Sequence, residues 1–289
     1  MEAVMYNNKC NLMIYQDAYQ YLLDHTDNLT PDKLDTYLEC SRLEHINDAF
    51  SSVVNFAVDW YKPKRNRLLY GDHNLETIRD TLNNADLEFT FNKFANNPEL
   101  LYDILFNSLI LPKKEDRFTK KVFKIYVNVI CSMSKYLSQF NDIKTMYDYF
   151  DKYQTYSEKI KLVNEIRVSS KQLDYKHDDC NNEGWGFALA SNWLKDIGMQ
   201  DYCKPDTHVT DFSIQLKLTE SETQENVFKS FVAMADSAKT LDASVNAFKA
   251  DRLAYLIGSG DFFKHYGIVK YHGNMPDFTK QELQKLLES

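Results

Sequence analysis

Glycine and proline are scarce in this chain, at 8 and 6 of 289 residues. Turn-rich β architecture uses far more of both, so their shortage favours long helices. Cysteine offers no scaffold. The five, Cys10, Cys40, Cys131, Cys180 and Cys203, are dispersed, odd in number and end at Cys203. That excludes a framework of paired disulfides and implies reduced thiols in a cytoplasmic setting. Long hydrophobic runs are also missing. Stretches such as Ser108-Leu109-Ile110-Leu111 fall far short of a bilayer span, and no apolar h-region follows the early charges, so neither membrane nor export is expected. Positive charge is not in excess: the net charge of −8 excludes a surface that is basic everywhere. No C-x-x-C or H-x-x-x-H pair is present. His177, Asp178, Asp179 and Cys180 are contiguous, and contiguous residues rarely converge on one ion. Neither a metal nor a cofactor is expected.

What is present is helical. Hydrophobic residues make up 44% of the chain, enough for a sizeable core, with 19 tyrosines and 18 phenylalanines. Thr30-Pro31 reads as a helix cap followed by proline in the first turn. His73 or Asn74 is expected to cap a second helix, Pro98 to start a third, and residues 119–136 to form a strongly periodic fourth. Further helical patterns cover 147–167, 187–194, 223–239, 244–257 and a last one from Pro276, and no stretch alternates with period two. The fold class is all-α. Two basic clusters stand against the acidic background: Lys62, Lys64, Arg65 and Arg67, then Lys113, Lys114, Arg117, Lys120, Lys121 and Lys124. Each reads equally well as a solvated face or as a local phosphate contact.

The most informative stretch runs from Glu183-Gly184-Trp185-Gly186-Phe187-Ala188 to Lys204-Pro205-Asp206-Thr207-His208-Val209. Glycines on both sides of Trp185 open a helix, whose N-terminal N–H groups can hold a phosphate. Asp206 follows, with Pro205 before it. A fixed carboxylate can stabilise positive charge on a reacting sugar. The same residues also fit an ordinary turn and a plain Asp-Thr helix cap.

Together the two elements resemble the core of the helix-hairpin-helix DNA glycosylases, the endonuclease III superfamily. There a G-x-G-x-x-x-A hairpin precedes a D-T-H turn, with the catalytic aspartate eighteen residues beyond a defined hairpin position. Here that position is Ala188, and eighteen residues on stands Asp206. The resemblance covers about residues 180–212. It implies an all-α, bilobal fold without the iron–sulfur cluster some members carry. One lobe would run from about 70 to 200 with the hairpin. The other would combine 1–69 with 201–289 and hold Asp206 at the junction. Asp206 would be catalytic. Gly184, Trp185, Gly186, Phe187, Lys204 and His208 would meet DNA, and Tyr175 and Phe212 would line a base pocket.

The chain departs from the family in two places. Bifunctional members carry a lysine nucleophile where Ala188 stands, so a lyase step through that position is excluded. The usual Leu-Pro before the first glycine is replaced by Asn182-Glu183. A fainter resemblance lies in Asp251-Arg252-Leu253-Ala254-Tyr255-Leu256-Ile257-Gly258-Ser259-Gly260, which looks like the α-glutamyl/putrescinyl-thymine pyrophosphorylase-like branch associated with hypermodified bases. The expected activity is a monofunctional glycosylase. As a monomer it acts on double-stranded DNA, releases a modified pyrimidine and leaves an abasic site, as in defence against phage. The alternatives are a pyrophosphorylase-like enzyme of phage DNA modification and a non-catalytic helical module that binds DNA or protein.

Overall fold

Caps fix most helix starts in this chain. The computed structural model describes residues 7–59, 72–111, 114–171 and 184–257, and among these residues it has thirteen helices and no strand. Thr30 caps α2 (Pro31–Leu38) through the Lys33 N–H, and Asn97 caps α6 (Pro98–Ser108) through the Leu100 N–H. Thr155 and Glu158 form a reciprocal capping box on α9 (Tyr156–Ser169). One expected cap is corrected. Asn74 lies inside α4 (Asp72–Thr81), where its amide donates to the Ile110 carbonyl and accepts from the Ile110 N–H, both at 2.9 Å. The helix from Pro276 lies outside the described residues.

The chain divides into two compact units. The continuous one spans residues 43–193 and is built round α7 (Arg117–Leu137), which packs against α3 (Ile46–Asp59), α5 (Leu87–Phe94), α6 and α9. α7 is buried on nearly every face over 125–134, because helices surround it. α8 (Ile143–Phe150) adds Phe150, whose ring meets Trp193 edge-on at 6.3 Å. The sequence reading places residues 43–69 with the other lobe. The packing of α3 on α7 instead joins 43–59 to this unit, since Phe50, Val53 and Val54 have no exposed surface to spare.

The second unit is discontinuous, formed by residues 1–42 and 194–289. Here α1 (Asn8–His25) packs on α12 (Gln224–Lys239) and α13 (Ala247–Ile257), and α11 (Thr207–Gln215) packs on the same two. Ile14, Ala18 and Leu22 recur every four residues and bury one face of α1. Polar bonds lock the far ends of the sequence together. Asn8 Nδ2 donates to Thr240 Oγ1 and Asn11 Nδ2 to Ser237 Oγ, each at 2.8 Å.

α10 (Phe187–Asp196) ends in a glycine stop. The Met199 N–H reaches the Leu194 carbonyl and the Gly198 N–H the Lys195 carbonyl, with Gly198 at φ +99°. A Cβ there would stand 2.6 Å from Arg42 Cα and 2.7 Å from the Ser41 carbonyl oxygen. Gly198→Ala is therefore expected to cost more than about 2 kcal/mol, from backbone strain plus overpacking. Urea titration of the variant checks this, and an unchanged midpoint would contradict it.

Acid should weaken the fold through two helix-start carboxylates and one turn carboxylate. Asp142 is held below its ordinary carboxyl range by hydrogen bonds from the Thr145 hydroxyl and N–H, Glu158 by those from the Thr155 N–H and hydroxyl, and Asp242 by those from the Ser244 hydroxyl and N–H. A depressed folded pKa stabilises the fold above the unfolded value of about 4 and is lost as pH falls through the folded one. Tm should fall as pH drops from about 5 to about 2. Asp142→Asn, Asp242→Asn and Glu158→Gln together should flatten that acid limb.

Candidate functional site

Asp206 opens α11 with an extended backbone, φ −88° and ψ −171°. Its Oδ1 accepts from the His208 N–H at 3.0 Å and the Val209 N–H at 3.4 Å, so two amides that a helix start leaves open are satisfied. Oδ2 faces Lys204 Nζ at 3.3 Å, and the aspartate side chain keeps 22% of its surface exposed. The carboxylate is thus fixed in direction without being sealed from solvent.

The turn before it is anchored from below. The Asp206 N–H donates to the Lys204 carbonyl at 2.7 Å, and the Lys204 N–H donates to Asp251 Oδ1 at 2.9 Å. Asp251 Oδ2 pairs with Lys195 Nζ. Asp251 is 3% exposed and Lys195 7%. Burial pushes the Asp251 carboxyl above its ordinary range, against the pull of the Lys195 ammonium. Burial is the largest single influence and opposes the lysine charge, but the charges of Asp251 and Asp196 and the hydrogen bond to Asp251 together raise the lysine pKa, so Lys195 holds its proton. Burial and then Asp251 push the Cys203 thiol well up, which removes it as a thiolate nucleophile.

The sequence reading gave Asp251 a neighbouring partner but missed Lys195 as that partner. Lys195 looks like a basic last turn of α10. Yet Asp251 falls three residues after Phe248 and three before Ala254, on the apolar stripe of α13. An acid on a core-facing stripe requires a buried partner, and that is the signal that finds it.

The hairpin residues are placed as follows. Trp185 does not stand at an exposed tip. Its ring is fully buried, 6.0 Å from Trp193 and 6.4 Å from Phe56, so it builds the core of the continuous unit instead of offering a stacking face. The Trp185 backbone N–H donates to Ser170 Oγ at 2.9 Å. Gly184 is buried against the end of α9: a Cβ would meet Ser170 O, Ser170 Oγ and Lys171 Cγ, each at 2.7 Å. Gly186 is exposed, precedes α10, and would have open space around a Cβ. Neither of these glycines takes a positive φ. Phe187 is 5% exposed and Phe212 3%, the latter edge-on to Phe231 at 5.8 Å. As they stand, both rings are core. His208 is half-buried with its ring edge-on to Tyr255 at 5.3 Å. Ala188 is half-buried on α10.

Tyr175, the cluster from His177 to Cys180, Lys113 and the basic run 62–67 lie outside the described residues. Of the second basic cluster, Lys120 pairs with Glu115 at 2.7 Å and Lys114 lies over the Phe106 ring at 5.0 Å. Among the described residues, no group of three His, Cys, Asp or Glu side chains gathers to hold a metal, and no helix is long and apolar enough to cross a membrane.

No family model, curated protein or solved structure matches the chain. The chemistry therefore has to be read from the site itself. Asp206 supplies a fixed, solvent-reachable carboxylate with an ammonium at its free oxygen. Gly184 and Gly186 divide their roles. Gly184→Ala is expected to destabilise the fold by about 1–3 kcal/mol through overpacking, whereas Gly186→Ala should leave Tm within about 1 °C or raise it slightly. Equal losses in a thermal scan of the two variants would refute that division.

Proposed function

We propose that the chain is a monofunctional DNA glycosylase of the helix-hairpin-helix kind. It would turn a modified base, a hypermodified pyrimidine, out of the duplex and hydrolyse its glycosidic bond to leave an abasic site. The observation that carries this reading is Asp206: one oxygen fixed by two amides, the other at Lys204 Nζ, eighteen residues beyond Ala188 in the helix that Gly186 precedes. The order of the units supports it. The continuous unit carries the hairpin and the discontinuous one carries Asp206, in keeping with a bilobal arrangement.

Breaking an N-glycosidic bond develops positive charge on the sugar. A carboxylate already held in place stabilises that charge without reorganising, and it can orient or deprotonate the attacking water. The bond is hidden in the base stack, so the nucleotide has to be extruded, at a cost of about a few kcal/mol that a destabilised pair lowers. With alanine at 188, no amine stands there to form a Schiff base. The base class rests on the Asp251-to-Gly260 resemblance. In a bacterium the activity would act against phages with modified genomes, and in a phage it would belong to DNA modification.

One specific observation favours a second reading, a helical binding module without catalysis. Both Asp206 Oδ1 contacts are those of a helix cap, and Trp185, Phe187 and Phe212 are buried. Asp206→Asn separates the two, because asparagine caps as well as aspartate but carries no charge. Base release from DNA with hydroxymethylated or glucosylated pyrimidines, read as alkali-dependent strand breaks, should fall by about a hundredfold or more while DNA binding persists. Release at the parental rate would remove Asp206 from the chemistry. A covalent adduct trapped by borohydride would contradict the monofunctional mechanism. Substituted thymines without abasic sites, found by mass spectrometry of digested nucleosides, would point to the pyrophosphorylase-like alternative.

A further inference from the structure

The Lys195–Asp251 pair is a poor device for stability alone. Two charges removed from water lose solvation that their mutual attraction barely restores, and apolar residues of the same size often serve as well or better. The pair does something an apolar pair cannot. Asp251 uses one oxygen for Lys195 Nζ and the other for the Lys204 N–H. Lys204 in turn holds Asp206 twice, by its carbonyl on the Asp206 N–H and by its ammonium on Asp206 Oδ2. Pro205, between them, has no N–H and a fixed φ, so the turn has few other ways to be held.

We infer that Asp251 is a positioning residue: oriented by Lys195, it fixes the Lys204 peptide and thereby the place of the Asp206 carboxylate. The inference deepens the glycosylase reading and rests on it for its catalytic meaning. The positioning itself is a property of the turn and can be measured without a substrate. Lys195 fixes which way Asp251 points. The Lys204 amide transmits that direction. The Asp206 cap on His208 and Val209 completes the path.

Two charge-neutral double variants of the full chain test this. Lys195→Met with Asp251→Asn keeps an acceptor for the Lys204 N–H. Lys195→Met with Asp251→Ala removes it. In the parental protein the Lys204 amide should be protected from hydrogen exchange. It should exchange about tenfold faster or more in the alanine variant, with shifted His208 and Val209 amide resonances, and return towards the parental values in the asparagine variant. Base release per folded molecule should follow the same order, with kcat reduced and KM unchanged in the alanine variant. A Lys204 amide that exchanges freely in the parental protein overturns the inference even if no variant folds. So does equal behaviour of the two variants, which would reduce the pair to packing. If the parental protein releases no base from any of the modified DNAs, the glycosylase reading fails, and the amide measurements alone decide whether Asp251 positions the turn.

Discussion

A carboxylate withdrawn from water has to be answered on both oxygens. Asp251, at 3% exposure, is the place where this chain meets that demand, and the surroundings of Asp206 are organised by the answer. One oxygen takes an ammonium from the last turn of α10, the other takes a backbone N–H from the loop that leads into α11. Two stretches of chain forty-seven and fifty-six residues away are thereby brought to one atom pair. The constraint runs outward from the core to the exposed carboxylate. The interior charge sets the Lys204 peptide, the peptide sets the turn, and the turn presents Asp206 to solvent.

Much of the fold was legible because capping is local. Thr30-Pro31, Pro98 and Asp206-Thr207 announce helix starts within two residues, and α2, α6 and α11 begin there. The long pattern over 119–136 marks α7 for the same reason: periodicity needs no knowledge of partners. What failed was non-local. Asn74 looks like a cap from its neighbours, but its amide answers Ile110, thirty-six residues on. α5 is eight residues long, too short for a period to declare itself, although Asp86 caps it through the Phe89 N–H.

The candidate site divides along the same line. Asp206 as a helix head was readable from its own segment. Trp185 was expected to meet DNA, whereas it is buried, and that burial depends on Phe56 and Trp193 arriving from elsewhere in the chain. The two glycines also look alike in sequence. Only the Ser170 carbonyl and hydroxyl, packed where a Cβ would sit, separate Gly184 from Gly186. The Lys195–Asp251 pair needed the tertiary fold to name the partner, even though an acid on the apolar stripe of α13 signals that a partner exists.

The discontinuous unit has a consequence for how the chain is made. α1 leaves the ribosome well before its packing partner α12, and the bond from Asn8 to Thr240 spans 232 residues. At synthesis rates of about 5–20 residues per second, that delay is roughly ten to fifty seconds. Throughout it the Ile14, Ala18 and Leu22 face lacks α12 and α13, the helices it packs on, while residues 43–193 emerge in one run. The nascent protein therefore carries an unsatisfied apolar helix ahead of a unit that is already complete. The unit bearing Asp206 closes only once α12 and α13 have followed.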